Sequence, residues 1–231
     1  MNIKSVLQRM FSTSLLFASA FLSAANAAPV SGQGTWETTL VARDINGDGN
    51  VDAFYDTVLN VTWLANANAG AGSTFDNGLS PTDGRMTWAN ANAWVAALNV
   101  LGVTGWRLPE MFPSSTTSSE LSHMYYSTLG NFGPGNPLTT TGPGTWGFTN
   151  TGPFTNLVSE FYWTGTPAGA GLAWVWAGDP ISAYHSAEPV TSSNRAWAVH
   201  SGNVLAVPEP GPSAMLFAGL GLLLLGARRQ D

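Results

Sequence analysis

Apolar residues recur at helical spacing in two stretches near the middle of the chain. Between residues 88 and 101, four of them fall on one stripe of a helix, namely Trp88, Ala91, Val95 and Leu98. Thr87 stands just before this stretch and is a predicted N-cap. A second helix is predicted over residues 118–129, where Thr117 and Glu120 have the spacing of a capping box.

The strand signals lie on either side of these two helices. Short apolar or alternating runs predict strands at residues 36–41, 58–64, 161–164, 172–176 and 196–200, and a further short strand at 204–206. Stretches rich in Gly, Asn, Pro and Thr predict loops at residues 66–82 and 131–156. Strands, then helices, then strands again favour a single α+β domain with antiparallel strands and two helices.

The N-terminal segment has the pattern of a secretory signal peptide. Residues 1–27 contain two basic residues, then an apolar run over residues 15–22, and end in a small-residue cleavage site formed by Ala25 and Ala27. A retained membrane anchor is disfavoured because the apolar run is too short to cross a bilayer. We therefore expect signal peptidase to act here and the mature chain to begin at Ala28.

The C-terminal segment contains a short motif, an apolar run and a basic pair, in that order. The motif is Val207-Pro208-Glu209-Pro210, and the basic pair is Arg228-Arg229. A helix over residues 213–227 would be roughly 22 Å long, against a bilayer core of about 30 Å, so it is a short membrane span. A buried core helix is disfavoured because the run is apolar on all sides and ends in two arginines.

This arrangement resembles the PEP-CTERM sorting signal of Gram-negative bacteria. The resemblance covers residues 207–231 and implies that an exosortase, a membrane enzyme, removes the tail. It also implies transient anchoring in the inner membrane, followed by a location at the cell surface or in the extracellular matrix. Association with exopolysaccharide and biofilm is the partner that the resemblance suggests.

The remaining body, residues 28–206, is acidic and contains no lysine. Its formal charge is −8, and its only basic residues apart from histidine are Arg43, Arg85, Arg107 and Arg195. Such a surface argues against nucleic acid and sulfated glycans as partners. The chain has no Cys, so packing must supply its stability, and its 10 Trp and 11 Phe are a suitable source of buried area.

Several motifs of the body resemble the Lcl C-terminal domain family, which is mostly of unknown function. They are residues 56–64, Met86-Thr87-Trp88-Ala89, Gly105-Trp106-Arg107-Leu108-Pro109-Glu110, Glu120-Leu121, Tyr162-Trp163-Thr164-Gly165 and Arg195-Ala196-Trp197-Ala198-Val199. The similarity covers residues 50–206. The Trp-Arg-Leu-Pro segment also resembles C-type-lectin-like folds, a likeness of fold that carries no function.

The segment from Gly105 to Pro109 has a physical interpretation of its own. We expect Gly105 to permit a turn, Trp106 and Leu108 to enter the core, and Pro109 to stop the strand. Arg107 would pair with Glu110 or Glu120, and a structural ion pair is favoured over ligand recognition.

One loop has the start of a calcium-binding pattern. Oxygen-bearing side chains stand at every second position, namely Asp44, Asn46, Asp48, Asn50 and Asp52. Gly49 permits the sharp bend, but Tyr55 occupies the position at which an EF-hand has its bidentate Glu, and flanking helices are not evident. Two interpretations stay open, a Ca²⁺ site of another kind and an acidic turn between strands.

The ligand-binding and catalytic candidates are few. Exposed rings stack on sugars, and the aromatic candidates for this role are Trp146, Trp174, Trp176 and Tyr184; a core face is the competing interpretation. Three histidines lack metal-ligand spacing, and no nucleophile or phosphate-binding motif is recognisable. Two of Glu110, Glu120, Glu160 and Glu188 could form a glycosidase pair, but any body with 12 acidic residues offers such pairs.

The sequence therefore favours an exported, non-enzymatic protein that binds or decorates matrix polysaccharide. The alternatives are an extracellular glycan-acting enzyme with paired carboxylates, and an adhesin.

Overall fold

The computed structural model describes residues 28–205 except 114, 116, 134–146 and 179–182. The predicted signal peptide, the sorting motif with its basic pair, and Trp146 lie outside the described residues. Within the described part, no helix is both long and apolar enough to cross a bilayer. The membrane helix predicted at 213–227 lies outside that part.

Ten strands form two five-stranded sheets. Sheet I joins β1 (Leu40–Arg43), β2 (Ala53–Asp56), β3 (Val61–Leu64), β10 (Val199–Ser201) and β5 (Trp106–Arg107) in that spatial order. Sheet II joins β4 (Arg85–Met86), β9 (Asn194–Arg195), β6 (Phe161–Gly169), β7 (Leu172–Ala177) and β8 (Tyr184–Pro189). Every pairing between these strands is antiparallel except one parallel bridge from Tyr162 to Arg195. The α+β class with antiparallel strands is confirmed.

The first predicted strand is wrong over most of its length. Trp36–Thr39 is a helical turn, α1, and β1 begins only at Leu40. The Thr35 carbonyl accepts hydrogen bonds from the backbone N–H groups of Thr38 and Thr39 and from their hydroxyl groups. Threonine side chains thus stabilise a local turn that the apolar pattern does not show.

The predicted strand at 58–64 is a turn followed by a shorter strand. The Asp56 carboxylate accepts hydrogen bonds from the N–H groups of Val58 and Leu59, and Asn60 adopts a left-handed backbone with φ 54°. The chain then enters β3, in which all four residues are buried. An aspartate at the end of β2 therefore fixes this hairpin.

The first predicted helix is confirmed in its position and cap. Helix α2, Trp88–Ala97, begins after Thr87, whose hydroxyl accepts a hydrogen bond from the Asn90 N–H. It ends before the predicted residue 101 because Leu98 takes an extended backbone.

The cap of the second helix lies two residues later than the cap predicted at Thr117. Ser119 caps α3, Glu120–His123, in a reciprocal box with Ser122, and a π-helix over Met124–Thr128 follows. The Glu120 carboxylate instead bonds Arg107 and the Glu110 N–H, so it does not complete the predicted capping box.

The last part of the chain connects the two sheets. Strand β9 lies in sheet II and β10 in sheet I, and residues 196–198 between them are buried rather than in a strand as predicted. The Trp197 ring centroid is 4.6 Å from that of Trp63 and 4.7 Å from that of Phe154. This crossing therefore packs aromatic rings between the sheets, as expected of a cysteine-free core. Val204, predicted to lie in a strand, is outside the strands.

The segment from Gly105 to Pro109 behaves as predicted. Gly105 has φ +84°, a backbone conformation that other residues rarely adopt. Trp106 and Leu108 are buried. Strand β5 consists of Trp106 and Arg107 and pairs with β10 at the edge of sheet I. The turn places the Arg107 guanidinium beside α3.

Candidate functional site

The predicted aromatic ligand residues do not share one surface. Trp174 and Trp176 lie on one face of β7, as predicted, but Trp176 is only 1% exposed and packs on Tyr125, Tyr126 and His185. Tyr184, 53% exposed, pairs with Ala177 and so lies on the opposite face of sheet II. Trp176 therefore has a core environment, and Trp174 and Tyr184 cannot stack on the same sugar.

The acidic loop at residues 44–52 uses its carboxylates to hold its own backbone. Asp44 accepts hydrogen bonds from the N–H groups of Gly47, Asp48 and Gly49, and Asp52 accepts one from Ile45. A hydrogen bond from the Asn50 N–H to Asp48 lowers the pKa of Asp48. In the described part of the chain, no group of three or more His, Cys, Asp or Glu side chains is arranged to hold a metal ion. These bonds fit the interpretation as an acidic turn; calcium binding stays a prediction.

Arg107 and Glu120 form a bidentate ion pair. The Arg107 Nη1 and Nη2 atoms are each 2.7 Å from an oxygen of Glu120, and the Glu110 N–H donates to the same carboxylate at 2.9 Å. Glu120 is 8% exposed, whereas Glu110 is exposed. The structural ion pair that the sequence favoured is present, with Glu120 and not Glu110 as the partner.

Glu160 lies between two arginines of sheet II. Its carboxylate is 2.8 Å from Arg85 Nη2 and 2.7 Å from Arg195 Nε. Burial by itself would raise the pKa of Glu160, but the hydrogen bonds and positive charges of both arginines outweigh burial and lower the pKa. This carboxyl group is therefore held in its charged form, unlike the general acid of a glycosidase.

Two clefts flank this ion-pair cluster. The smaller, about 250 Å³, is lined by Arg85, Glu160, Ser193 and Asn194. The larger, about 610 Å³, we name the Asn68 cleft; its lining includes Asn68, Asp83, Thr151, Phe154, Asn156 and Arg195. Its volume lies within the usual range for small-ligand sites, and amide, hydroxyl and charged groups stand beside an aromatic side chain. Sequence patterns missed this cleft because its lining comes from five separated segments.

A serine and a histidine meet between sheet II and α3. His185 Nε2 is 2.7 Å from Ser119 Oγ, which also caps α3. Burial lowers the pKa of His185 to about 4, partly offset by a hydrogen bond to the backbone of Thr117. Ser119 is fully buried, so this contact joins a strand to a helix and does not present a hydroxyl group to a substrate.

No known family model matches this sequence. No curated protein is significantly similar to it.

Proposed function

We propose that this chain is an exported bacterial protein that an exosortase processes and that binds matrix polysaccharide without catalysing a reaction. The observation that carries the proposal is the order of the terminal segments: a signal-peptide pattern ends at Ala27, and a sorting-signal pattern begins at Val207. Both resemblances are carried by sequence motifs alone. In this proposal the inner membrane holds the chain only until the tail is removed, and the product then resides at the cell surface or in the matrix.

The packing of the body supports a folded unit between these two segments. The described core runs from Ile45 to Val204, and Ala28 already bridges to Asn150. The segment around Trp197 connects the two sheets, and the aromatic rings packed between them give this cysteine-free body a large buried area. We include in the proposal the likeness to the Lcl C-terminal domain family and to C-type-lectin-like folds.

The Asn68 cleft supports a neutral glycan as the ligand. Asn156, Thr151 and Arg195 supply the donors and acceptors that sugar hydroxyl groups need, and Phe154 contributes apolar contact. The formal charge of −8 on residues 28–206 disfavours polyanions and therefore disfavours an adhesin that binds sulfated glycans.

The ion pairs weigh against the enzyme alternative. A glycosidase needs two carboxyl groups free to act as acid and base or nucleophile. Two of the four candidates, Glu120 and Glu160, are each bonded to arginine. No observation among the described residues favours a pair made by the other two.

Processing is tested by fractionating the producing cell with and without its exosortase. We expect a tail-free form outside the inner membrane only when the exosortase is present, and a membrane-bound form when Glu209 is changed to Ala. Ser213→Ala is the matched control and should be processed normally. Soluble, intact protein in the cytoplasm would refute the proposal.

Ligand binding is tested by affinity electrophoresis in gels that contain the exopolysaccharide of the producing cell. Asn156 lines the cleft and has φ 56°, so Asn156→Gly removes the amide without backbone strain. Asn60, with φ 54°, lies outside the cleft lining, so Asn60→Gly is the matched control. We expect retardation of the wild type and of Asn60→Gly and its loss in Asn156→Gly. Equal mobility of all three proteins in gels with and without polysaccharide would contradict the proposed ligand.

A further inference from the structure

Two carboxyl groups, those of Asp76 and Asp83, lie near Gly84 beside the Asn68 cleft. Asp76 Oδ2 accepts hydrogen bonds from the N–H groups of Gly72 and Gly84, at 3.0 and 2.9 Å. Asp76 is only 8% exposed, and its other oxygen, Oδ1, is buried with no donor among the described residues. An acceptor left in this state is costly, so its lack of a partner requires an explanation.

Asp83 is the second carboxyl group. Its two oxygens accept hydrogen bonds from the N–H groups of Arg85 and Ser80, at 2.9 and 3.1 Å. Asp83 directly precedes Gly84, whose N–H group donates to Asp76, so the two carboxyl groups belong to the same part of the loop. Neighbouring carboxylates repel each other, and a cation bound between them removes this repulsion.

Asn68 adds a third oxygen. Its Nδ2 donates to the Asp83 carbonyl at 3.4 Å, which turns Oδ1 toward Gly84, and Oδ1 is also buried without a donor. Gly84 has φ +77°, and a side chain there would overlap this amide oxygen. The glycine thus lets the backbone approach close enough for the oxygens of Asn68 and Asp76 to converge on its two sides.

Among the described residues, the guanidinium groups of Arg85 and Arg195 donate no hydrogen bond to the carboxylates of Asp76 and Asp83. Arg85 and Arg195 both bond Glu160, and the contact of Arg195 with Asp83 is to the backbone carbonyl, not the carboxylate. The Asp76 carboxylate and the Asn68 amide oxygen therefore lie next to Gly84, and Asp83 directly precedes that glycine.

We propose that Asn68, Asp76 and Asp83 form a binding site for a divalent cation, and that the ion is Ca²⁺. Carboxylate and amide oxygens are hard ligands, and Ca²⁺ accepts six to eight of them in irregular geometry, whereas Mg²⁺ requires a near-octahedral set. Asn68 and Asp83 line the open cleft, so water can complete the coordination. The site is separate from the loop at residues 44–52.

The test is thermal unfolding of the purified protein at pH 7, after EGTA treatment and then with added Ca²⁺ or Mg²⁺. At ten times the dissociation constant, Ca²⁺ should raise the Tm of the wild type by roughly 3 °C, and Mg²⁺ at the same concentration by less. Asp83→Asn should lose the response. Asp48→Asn, in the other acidic loop, is the matched control and should keep it.

Three results would overturn the assignment. A wild type whose Tm does not change with Ca²⁺ would mean that these residues bind no calcium ion. A response lost in Asp48→Asn but kept in Asp83→Asn would place the ion in the other loop. An equal response to Mg²⁺ would refute the choice of ion. If Asp83→Asn does not fold, Asn68→Ala replaces it, and a Ca²⁺ response as strong as that of the wild type would then refute the site.

Discussion

Glu120→Gln is expected to destabilise the protein because it leaves Arg107 without a counter-charge. The exchange keeps the size of the side chain but replaces one acceptor oxygen with an NH₂ group that faces a guanidinium donor. The two side chains are 26% and 10% exposed, so water replaces the lost partner only in part. Breaking a buried ion pair costs about 3–5 kcal/mol, and partial exposure of Arg107 places the expected loss near the lower limit, about 3 kcal/mol.

Urea unfolding, followed by tryptophan fluorescence, measures this loss directly. The matched control is Glu110→Gln, because Glu110 is exposed and its hydrogen bond to the pair comes from the backbone N–H, which the exchange keeps. We expect the control to stay within about 0.5 kcal/mol of the wild type. An Arg107→Met, Glu120→Leu double variant should recover part of the loss, because it buries no uncompensated charge.

The reasoning fails if Glu120→Gln unfolds at the same urea concentration as Glu110→Gln. That result would mean that solvent screens Arg107 and that the pair contributes no more than an exposed one. A double variant less stable than Glu120→Gln would also contradict it, because packing and not charge would then dominate.

Three further predictions follow from the same contacts. Arginine contacts lower the pKa of Glu160 below 4.5, so its contribution to stability is present above that pH and is lost as the pH falls through the folded-state pKa; Glu160→Gln should flatten this acid-side slope in urea titrations. Burial lowers the pKa of His185 from 6.5 to about 4, so stability should fall as the pH drops from 6.5 toward 4, and His185→Gln should remove part of that slope in the same titrations. Gly84→Ala should cost about 2 kcal/mol or more by thermal unfolding, since a methyl group would overlap Asn68, while Gly72→Ala, also left-handed but with open space, should cost about 1 kcal/mol; equal losses would refute the proposed close approach.

The sequence predicts those elements whose stability depends on residues close together along the chain. Thr87 stands before an apolar helical stripe, and α2 begins there with the predicted cap. The turn at Gly105 and the burial of Trp106 follow in the same way from neighbouring residues. Each of these features depends on groups within one or two turns of the chain.

The elements that were missed depend on distant partners. Strand β8 alternates polar and small residues and contains Pro189, so it has no apolar face, yet it pairs along the edge of sheet II with β7. The cap at Ser119 replaces the predicted one because Arg107, 13 residues away along the chain, binds Glu120. Sequence patterns assign each side chain to a partner close to it along the chain. Here the Glu120 carboxylate binds a more distant arginine instead of completing the predicted capping box.

The candidate sites were the least predictable part. The aromatic candidates were chosen because they lie in or near predicted loops, but the pairing of Tyr184 with Ala177 places this ring on the face of sheet II opposite Trp174. Asn68 and Asp76 lie within the predicted loop at residues 66–82, where Asn, Asp and Gly already serve as turn formers. Only the structure shows which of their oxygens lack a donor.

The four arginines of the lysine-free body have a consequence for proteolysis. Trypsin can cut residues 28–205 only after Arg43, Arg85, Arg107 or Arg195. Arg43 is the last residue of β1, and its guanidinium group donates a hydrogen bond to Asn203. The other three lie in β4, β5 and β9, and their side chains form ion pairs with carboxylates. A protease can cut a peptide bond only when the segment around it is extended and not paired with a neighbouring strand. Digestion should therefore proceed no faster than the sheets open locally. Because these arginines lie in paired strands, the body should resist trypsin-like proteases although it contains no disulfide bond.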